Sequence, residues 1–199
     1  MRKFFVLLLT LVLLVSCSSV RNGSDYDNYA YGRADELPNK ANVQKAPAKV
    51  DSKFDASDMR SVVNAAIALG FDIDYDDDIP LFMEAASWIG TPYRAAGNDH
   101  RGVDCSGLST AIYRNVYGIL LERSSEGQFV KNCHKISKNS LRQGDLVFFA
   151  INSTKTISHV GIFLKDGMFI HASSTRGVVV NSLEEDYYRK YYYASGRVK

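Results

Sequence analysis

The sequence changes character near Ser140, and that change restricts the fold more than any other feature. Beyond it lie five short, β-rich runs: Leu146 to Ala150, Val160 to Leu164, Met168 to Ala172, Val178 to Val180 and Tyr191 to Arg197. Turn residues bound each one. Before Ser140 the apolar residues recur at helical spacing. Ser57 is read as the cap of a first helix, with Met59, Val62, Val63, Ala66 and Ile67 as its inward stripe and Gly70 as its stop. A second helix is expected from about Pro80 to Ile89, with Phe82, Met83, Ala86 and Ile89 inward; Gly90-Thr91-Pro92 ends it. Asp104 caps a third, whose stripe is Leu108, Ile112 and Val116 before Gly118. Helices first and strands later predict an α+β domain, with N-terminal helices packed on a central antiparallel β-sheet.

The ends of the 199-residue chain carry different information. Met1-Arg2-Lys3 is a short positive start, and Phe4 to Val15 is an apolar run too short to span a bilayer comfortably. Residues 1–16 are therefore read as a signal peptide. They end at Cys17, and Leu14-Val15-Ser16-Cys17 resembles a bacterial lipobox. That resemblance implies cleavage before Cys17, lipidation of that cysteine and a membrane anchor. Ser18 follows where an Asp would resemble an inner-membrane retention signal, so the expected location is the outer membrane, facing the periplasm. Residues 17–52 are poor in large aliphatics and are read as a tether. Removing residues 1–16 takes away Arg2 and Lys3 and leaves 22 basic against 22 acidic residues. No basic excess remains to release counterions from nucleic acid, so no nucleic-acid partner is expected.

Cys105 falls in the first turn of the third helix. Helix N-terminal N–H groups favour a thiolate and an oxyanion, so Cys105 is expected to have a lowered pKa. Alone, such a cysteine fits simple burial as well. The histidines decide between the two. His159 and His171 lie on adjacent predicted strands, separated by Lys165-Asp166-Gly167. A two-residue Asp-Gly turn would put them on opposite faces. A three-residue Lys-Asp-Gly loop, with Gly167 in the left-handed position, would pair Leu164 with Met168 and Gly161 with His171. His159 and His171 would then be diagonal neighbours on one face. The three-residue loop is the expectation. A cysteine nucleophile, His159 as base and His171 as its orienter form a papain-like arrangement.

These residues carry a family resemblance. Trp88-Ile89-Gly90-Thr91-Pro92-Tyr93, Asp104-Cys105-Ser106-Gly107-Leu108, Arg123-Ser124-Ser125 with Gln128, Gly144-Asp145-Leu146-Val147-Phe148-Phe149, His159-Val160-Gly161-Ile162 and His171-Ala172-Ser173 appear in order. Together they resemble the NlpC family of bacterial cell-wall cysteine endopeptidases, over residues 79–199. The resemblance implies a papain-like NlpC fold, catalytic Cys105, His159 and His171, and an oxyanion site from Tyr93 and the Cys105 N–H. It places Asp104, Ser106, Arg123, Ser124 and Ser125 along the substrate cleft. It implies peptidoglycan stem peptides as substrate, cut at the D-iso-glutamate–diamino acid bond or at the cross-link, with no metal or organic cofactor. Two departures border the cleft: Glu122 stands where Pro commonly precedes Arg-Ser, and Ala96-Gly97 replaces a Gly-Gly pair.

Residues 53–78 lie outside the resemblance. Their helix could cap the cleft or lengthen the core, and the second is expected. The acidic run Asp72, Asp74, Asp76, Asp77 and Asp78 lacks EF-hand spacing and is read as a solvated loop. His100 and His134 are expected on surface loops, and Cys133 as a spare thiol in a loop. Trp88 is expected in the core. The tyrosines from Tyr187 to Tyr193 fit sheet packing as well as glycan contact.

Overall fold

The structure, a computed structural model, describes residues 56–151 and 156–199. The expected signal peptide, Cys17 and the tether to residue 52 lie outside the described residues. The first helix, α1, is Ala56–Leu69; the second, α2, is Ile79–Trp88. Asp78 caps α2 by accepting from the Leu81 N–H at 3.1 Å, and Pro80 sits in the first turn, where its missing N–H costs nothing. A short hairpin follows, with β1 at Asn98–Asp99 and β2 at Gly102–Val103. Helix α3 is Cys105–Tyr117 and ends at Gly118 in the left-handed conformation (φ 69°). After a single turn, α4 (Ser125–Gly127), and a π-helical turn at Gln128–Asn132, the chain enters the main sheet.

The sheet contains β3 (Cys133–Ile136), β4 (Leu146–Phe149), β5 (His159–Phe163), β6 (Met168–Ser173), β7 (Gly177–Ser182) and β8 (Tyr192–Val198). Their order is β3-β8-β4-β5-β6-β7, all neighbours antiparallel. Helix α5, Asp186–Tyr191, lies between β7 and β8. The α+β architecture is as expected. One face of the sheet, through Val160, Ile162, Ile170 and Ala172, packs with α2 and α3 in the larger core. The opposite face carries a second, aromatic core of Val147, Phe149, Phe163, Phe169, Leu183 and Tyr188.

Several expectations change. The inward face of α1 is Ala65 and Leu69, packed towards α2, whereas Met59, Val63 and Ile67 are exposed. Apolar residues occur on more than one side of this helix, and its main packing partner among the described elements is α2, so that neighbour selects the face. Leu69 joins the larger core, so α1 lengthens the core as expected. In α2, Leu81, Phe82, Ala85 and Trp88 are buried, one position off the expected stripe, and Met83 is only half-buried. Cys133 and His134 are on edge strand β3, not in loops; Cys133 is buried and His134 exposed. Tyr187, Tyr188 and Tyr191 belong to α5 rather than to a strand.

The acidic run is not simply solvated. Lys165, in the β5–β6 loop, donates to Asp74 at 2.8 Å and Asp77 at 2.7 Å, and Gln143 also donates to Asp77. Tyr117 donates to Asp78 at 2.6 Å. The run is thus a clasp that fastens the α1–α2 connection to α3 and the sheet. Asp145 is similarly held: Arg197 donates to both carboxylate oxygens, at 2.9 and 2.7 Å, and the Arg142 N–H adds a third bond at 2.7 Å.

Candidate active site

The β5–β6 hairpin sets the geometry. Ile162 pairs with Ile170 and Phe163 with Phe169. The Leu164 N–H donates to the Met168 carbonyl at 2.8 Å, so Lys165-Asp166-Gly167 form the expected three-residue loop, with Gly167 at φ 78°. Extending the register puts Gly161 opposite His171. A Cβ on Gly161 would lie 2.6 Å from Phe169 Cδ2, 2.8 Å from the Ile170 carbonyl oxygen and 3.2 Å from His171 Cβ. Glycine there leaves room for both imidazoles. His159 Nε2 and His171 Nδ1 are 2.9 Å apart, with the rings nearly perpendicular.

Both histidines lie on the aromatic face, where His171 stacks on Phe169 and meets Tyr188 edge-on. Cys105 starts α3, which packs against the other face. The two meet at the end of the sheet where β5 begins and β6 finishes. There, Tyr93, Cys105, His159, His171, Tyr187 and Tyr188 help to line one cavity of about 480 Å³. Tyr93 is pinned from both sides. The Pro92 carbonyl accepts from the Val103 N–H, and the Arg94 N–H donates to the Val103 carbonyl. Gly177 permits β7 to approach this segment, since a Cβ there would meet the Thr91 carbonyl oxygen at 2.4 Å.

Electrostatics depart from expectation at the cysteine. Burial pushes the Cys105 thiol above its usual pKa, although the N–H groups of Val160, Ser106 and Cys105 itself pull it down. The nearby Asp104 carboxylate pushes the same way as burial. It also occupies the helix N-terminus, accepting from the Gly107 N–H at 2.7 Å, so much of the field expected to favour a thiolate is neutralised. Burial likewise lowers the pKa of both His159 and His171, and the neighbouring His171 ring further disfavours a charge on His159. The resting dyad is therefore neutral, as is the thiol that lines the same cavity. Burial, then the charges of Cys105 and Asp104, raise the pKa of Tyr93, which keeps its hydroxyl a donor.

The residues expected along the substrate cleft do not line this cavity. Arg123 donates to Asp104 Oδ1 and Oδ2, both at 2.8 Å, to Ser106 Oγ at 2.9 Å and to the Gly97 carbonyl at 3.0 Å. Ser106 is buried, and Ser124 caps α4 by accepting from the Gly127 N–H at 3.1 Å. Ser125 is the first residue of α4. Buried Gln128 joins this network, accepting from Ser109 at 2.8 Å and donating to the Ser106 and Glu122 carbonyls. These groups brace the start of α3. Ala96, at one departure from the family pattern, adopts φ 59°, where its N–H donates to Asp104 Oδ2 at 2.9 Å.

Sequence reasoning missed a second layer behind His171. Asn181 Oδ1 lies 3.0 Å from His171 Nε2, and the Tyr188 hydroxyl is also 3.0 Å from that nitrogen. Asn181 directly follows the apolar run Val178-Val179-Val180 within the same strand, and a polar residue so placed was the available signal. His100 is exposed at its edge but stacks on buried Trp88 at 3.8 Å. Cys133 and Cys105 are both free thiols, and burial pushes Cys133 up to about 12. Among the described residues, no group of three or more His, Cys, Asp or Glu is arranged to hold a metal ion.

Comparison with known proteins agrees with this architecture. The model of the NlpC/P60 family matches residues 90–197. Over 113 residues the chain is 39% identical to an Escherichia coli K12 protein named murein DD-endopeptidase MepS/murein LD-carboxypeptidase, covering 57% of this chain and 58% of that one. It is 40% identical over 114 residues to a Bacillus subtilis gamma-DL-glutamyl hydrolase, covering 56% of this chain and 27% of the relative. A crystal structure of an NlpC/P60 family protein from Bacillus cereus ATCC 10987 matches with a TM-score of 0.56 at 33% identity, over 63% of this chain and 41% of that one. With more than half of its length inside the family match and the same fold, the chain belongs to the NlpC/P60 family.

Proposed function

We infer that this protein is a peptidoglycan hydrolase that cleaves an amide bond of the stem peptide through Cys105. The observation that carries the reading is the hydrogen bond between His159 and His171 in the wall of a cavity that Cys105 also lines. The relatives' names, a murein endopeptidase and a γ-glutamyl hydrolase, support the substrate class. His159 Nε2 is engaged by His171, which leaves Nδ1 for the thiol. In this mechanism Cys105 Sγ attacks the amide carbon while its proton passes to His159 Nδ1. The Cys105 N–H and Tyr93 hydroxyl stabilise the oxyanion. The intermediate collapses to a thioester, and His159 protonates the departing amine. Water, giving a proton to His159, then hydrolyses the thioester and releases the thiol. Because thiol and imidazole begin neutral, proton transfer accompanies attack.

Within the stem peptide, the D-iso-glutamate–diamino acid bond is the first expectation and the cross-link its rival. The bracing of Asp104 and Ser106 by Arg123 is compatible with a substrate edge beside the nucleophile. The N-terminal sequence supports export and lipid anchoring through Cys17, with an outer-membrane location. Wild type and Cys105→Ala are compared on purified peptidoglycan and on defined stem peptides, with products identified by mass spectrometry. The wild type releases fragments and the variant does not; identical product profiles would leave only a wall-binding role. Cys17→Ser, expressed from the full gene, moves the protein from the membrane to the soluble fraction. Retention in the membrane sinks the lipid anchor.

A further inference from the structure

We propose that Asn181 is a positioning residue: its amide fixes the tautomers of His171 and His159 in series, leaving His159 Nδ1 bare to receive the Cys105 proton. This rests on the hydrolase reading above and concerns the same site.

The chain of bonds has a direction. Asn181 Nδ2 donates to Glu185 Oε1 at 2.8 Å, and Arg176 donates to Asn181 Oδ1 at 2.7 Å. A flipped amide would turn its carbonyl oxygen toward a carboxylate and its NH2 toward a guanidinium. Two charges therefore hold the orientation, and the Ser182 N–H holds Glu185 in place at 2.9 Å. Asn181 Oδ1 can only accept, so the proton in its 3.0 Å contact sits on His171 Nε2. His171 Nδ1 is then bare and accepts from His159 Nε2–H. A neutral imidazole carries one N–H, so His159 Nδ1 has none.

Tyr188 is the competing group. Its hydroxyl lies 3.0 Å from His171 Nε2 and 3.3 Å from Asn181 Oδ1. With Asn181 present, Tyr188 donates to the amide oxygen and accepts from His171. Without that oxygen, Tyr188 donates to His171 Nε2 instead. Both tautomers then reverse, and His159 presents an N–H to the thiol. The groups facing His171 are thus His159 on β5, Arg176 in the β6–β7 turn, Asn181 on β7, Glu185 before α5 and Tyr188 on α5. An amide in this place orients the ring without bonding a negative charge to it. A carboxylate would favour the charged imidazolium.

Imidazole nitrogen NMR of the labelled full-length protein at neutral pH reads the tautomers without substrate. Wild type shows Nε2–H on both rings; an Nδ1–H on His159 overturns the proposal whether or not any variant folds. Asn181→Leu shifts His159 to Nδ1–H and lowers kcat roughly 10²–10⁴-fold, the range of general-base catalysis, with KM little changed. Asn181→Leu/Tyr188→Phe removes the wrong donor and recovers part of kcat, which a merely structural loss would not. Asn181→Leu with wild-type tautomers and kcat overturns the proposal. Hydrolysis surviving in Cys105→Ala instead overturns the hydrolase reading and leaves the tautomer result standing on its own.

Discussion

Gly161 shows how much one residue can settle. The sequence places it opposite His171 once the loop at 165–167 is assigned, because strand register is discrete: a one-residue slip moves side chains to the other face. The sequence made the cooperation of the histidines legible for that reason. The charge state of Cys105 was not legible, because it depends on burial and on the Asp104 carboxylate beside the helix start. Asn181 was hidden too, since its role depends on Glu185 and Arg176 meeting it in space. Gly161→Ala tests the register argument. The added methyl group meets a backbone carbonyl at 2.8 Å and cannot be accommodated by rotating a side chain. The expected cost is about 1–3 kcal/mol of stability, with a larger proportional loss of kcat as the imidazoles separate. Urea unfolding and steady-state kinetics check this; unchanged stability and turnover would mean that the hairpin has more room than its geometry indicates.

Elements were legible where local chemistry fixed them. Asp104 and Gly118 mark the ends of α3, and its buried Leu108 and Ile112 follow the helical period. The face of α1 was not, because Met59, Val63 and Ile67 make as good a stripe in sequence as Ala65 and Leu69. Strand β3 escaped notice because Cys-His-Lys-Ile has a half-polar edge pattern, and α5 because its tyrosines have high strand propensity. The clasp between the acidic run and Lys165 joins elements far apart in sequence. The Lys165 side chain is 15% exposed and that of Asp77 7%. Burial opposes the Asp77 charge, but bonds from Lys165, the Asp74 N–H and Gln143 bring its pKa below the usual value. Lys165→Met leaves that carboxylate without its cation and lowers stability by roughly 1–3 kcal/mol. Adding Asp77→Asn recovers part of the loss. A urea midpoint unchanged in the single variant would mean that the clasp contributes no net stability.

Across the whole molecule, the same burial that keeps His159 unprotonated makes folding sensitive to acid. His159 and His171 have depressed pKa values in the folded protein, chiefly through desolvation. In the unfolded chain they protonate near the ordinary value of about 6.5. Their contribution is therefore present above that value and is lost as pH falls through it towards the folded values. Between these limits the unfolded state binds up to two more protons than the native state, so stability falls with a slope approaching about 2.7 kcal/mol per pH unit. From pH about 7.5 to about 5.5, the two groups remove roughly 2–3 kcal/mol from the free energy of unfolding. Paired carboxylates such as Asp77 and Asp104 have lowered pKa values, and their stabilising contributions are lost in more acidic solution, below the histidine window. Urea unfolding across this range measures the slope. The base itself remains unprotonated there, so activity at about pH 5.5 should track the folded fraction rather than a titration of His159. A flat stability profile would mean that the imidazoles titrate in the folded protein as they do in the unfolded chain, and activity at about pH 5.5 would then fall with protonation of His159.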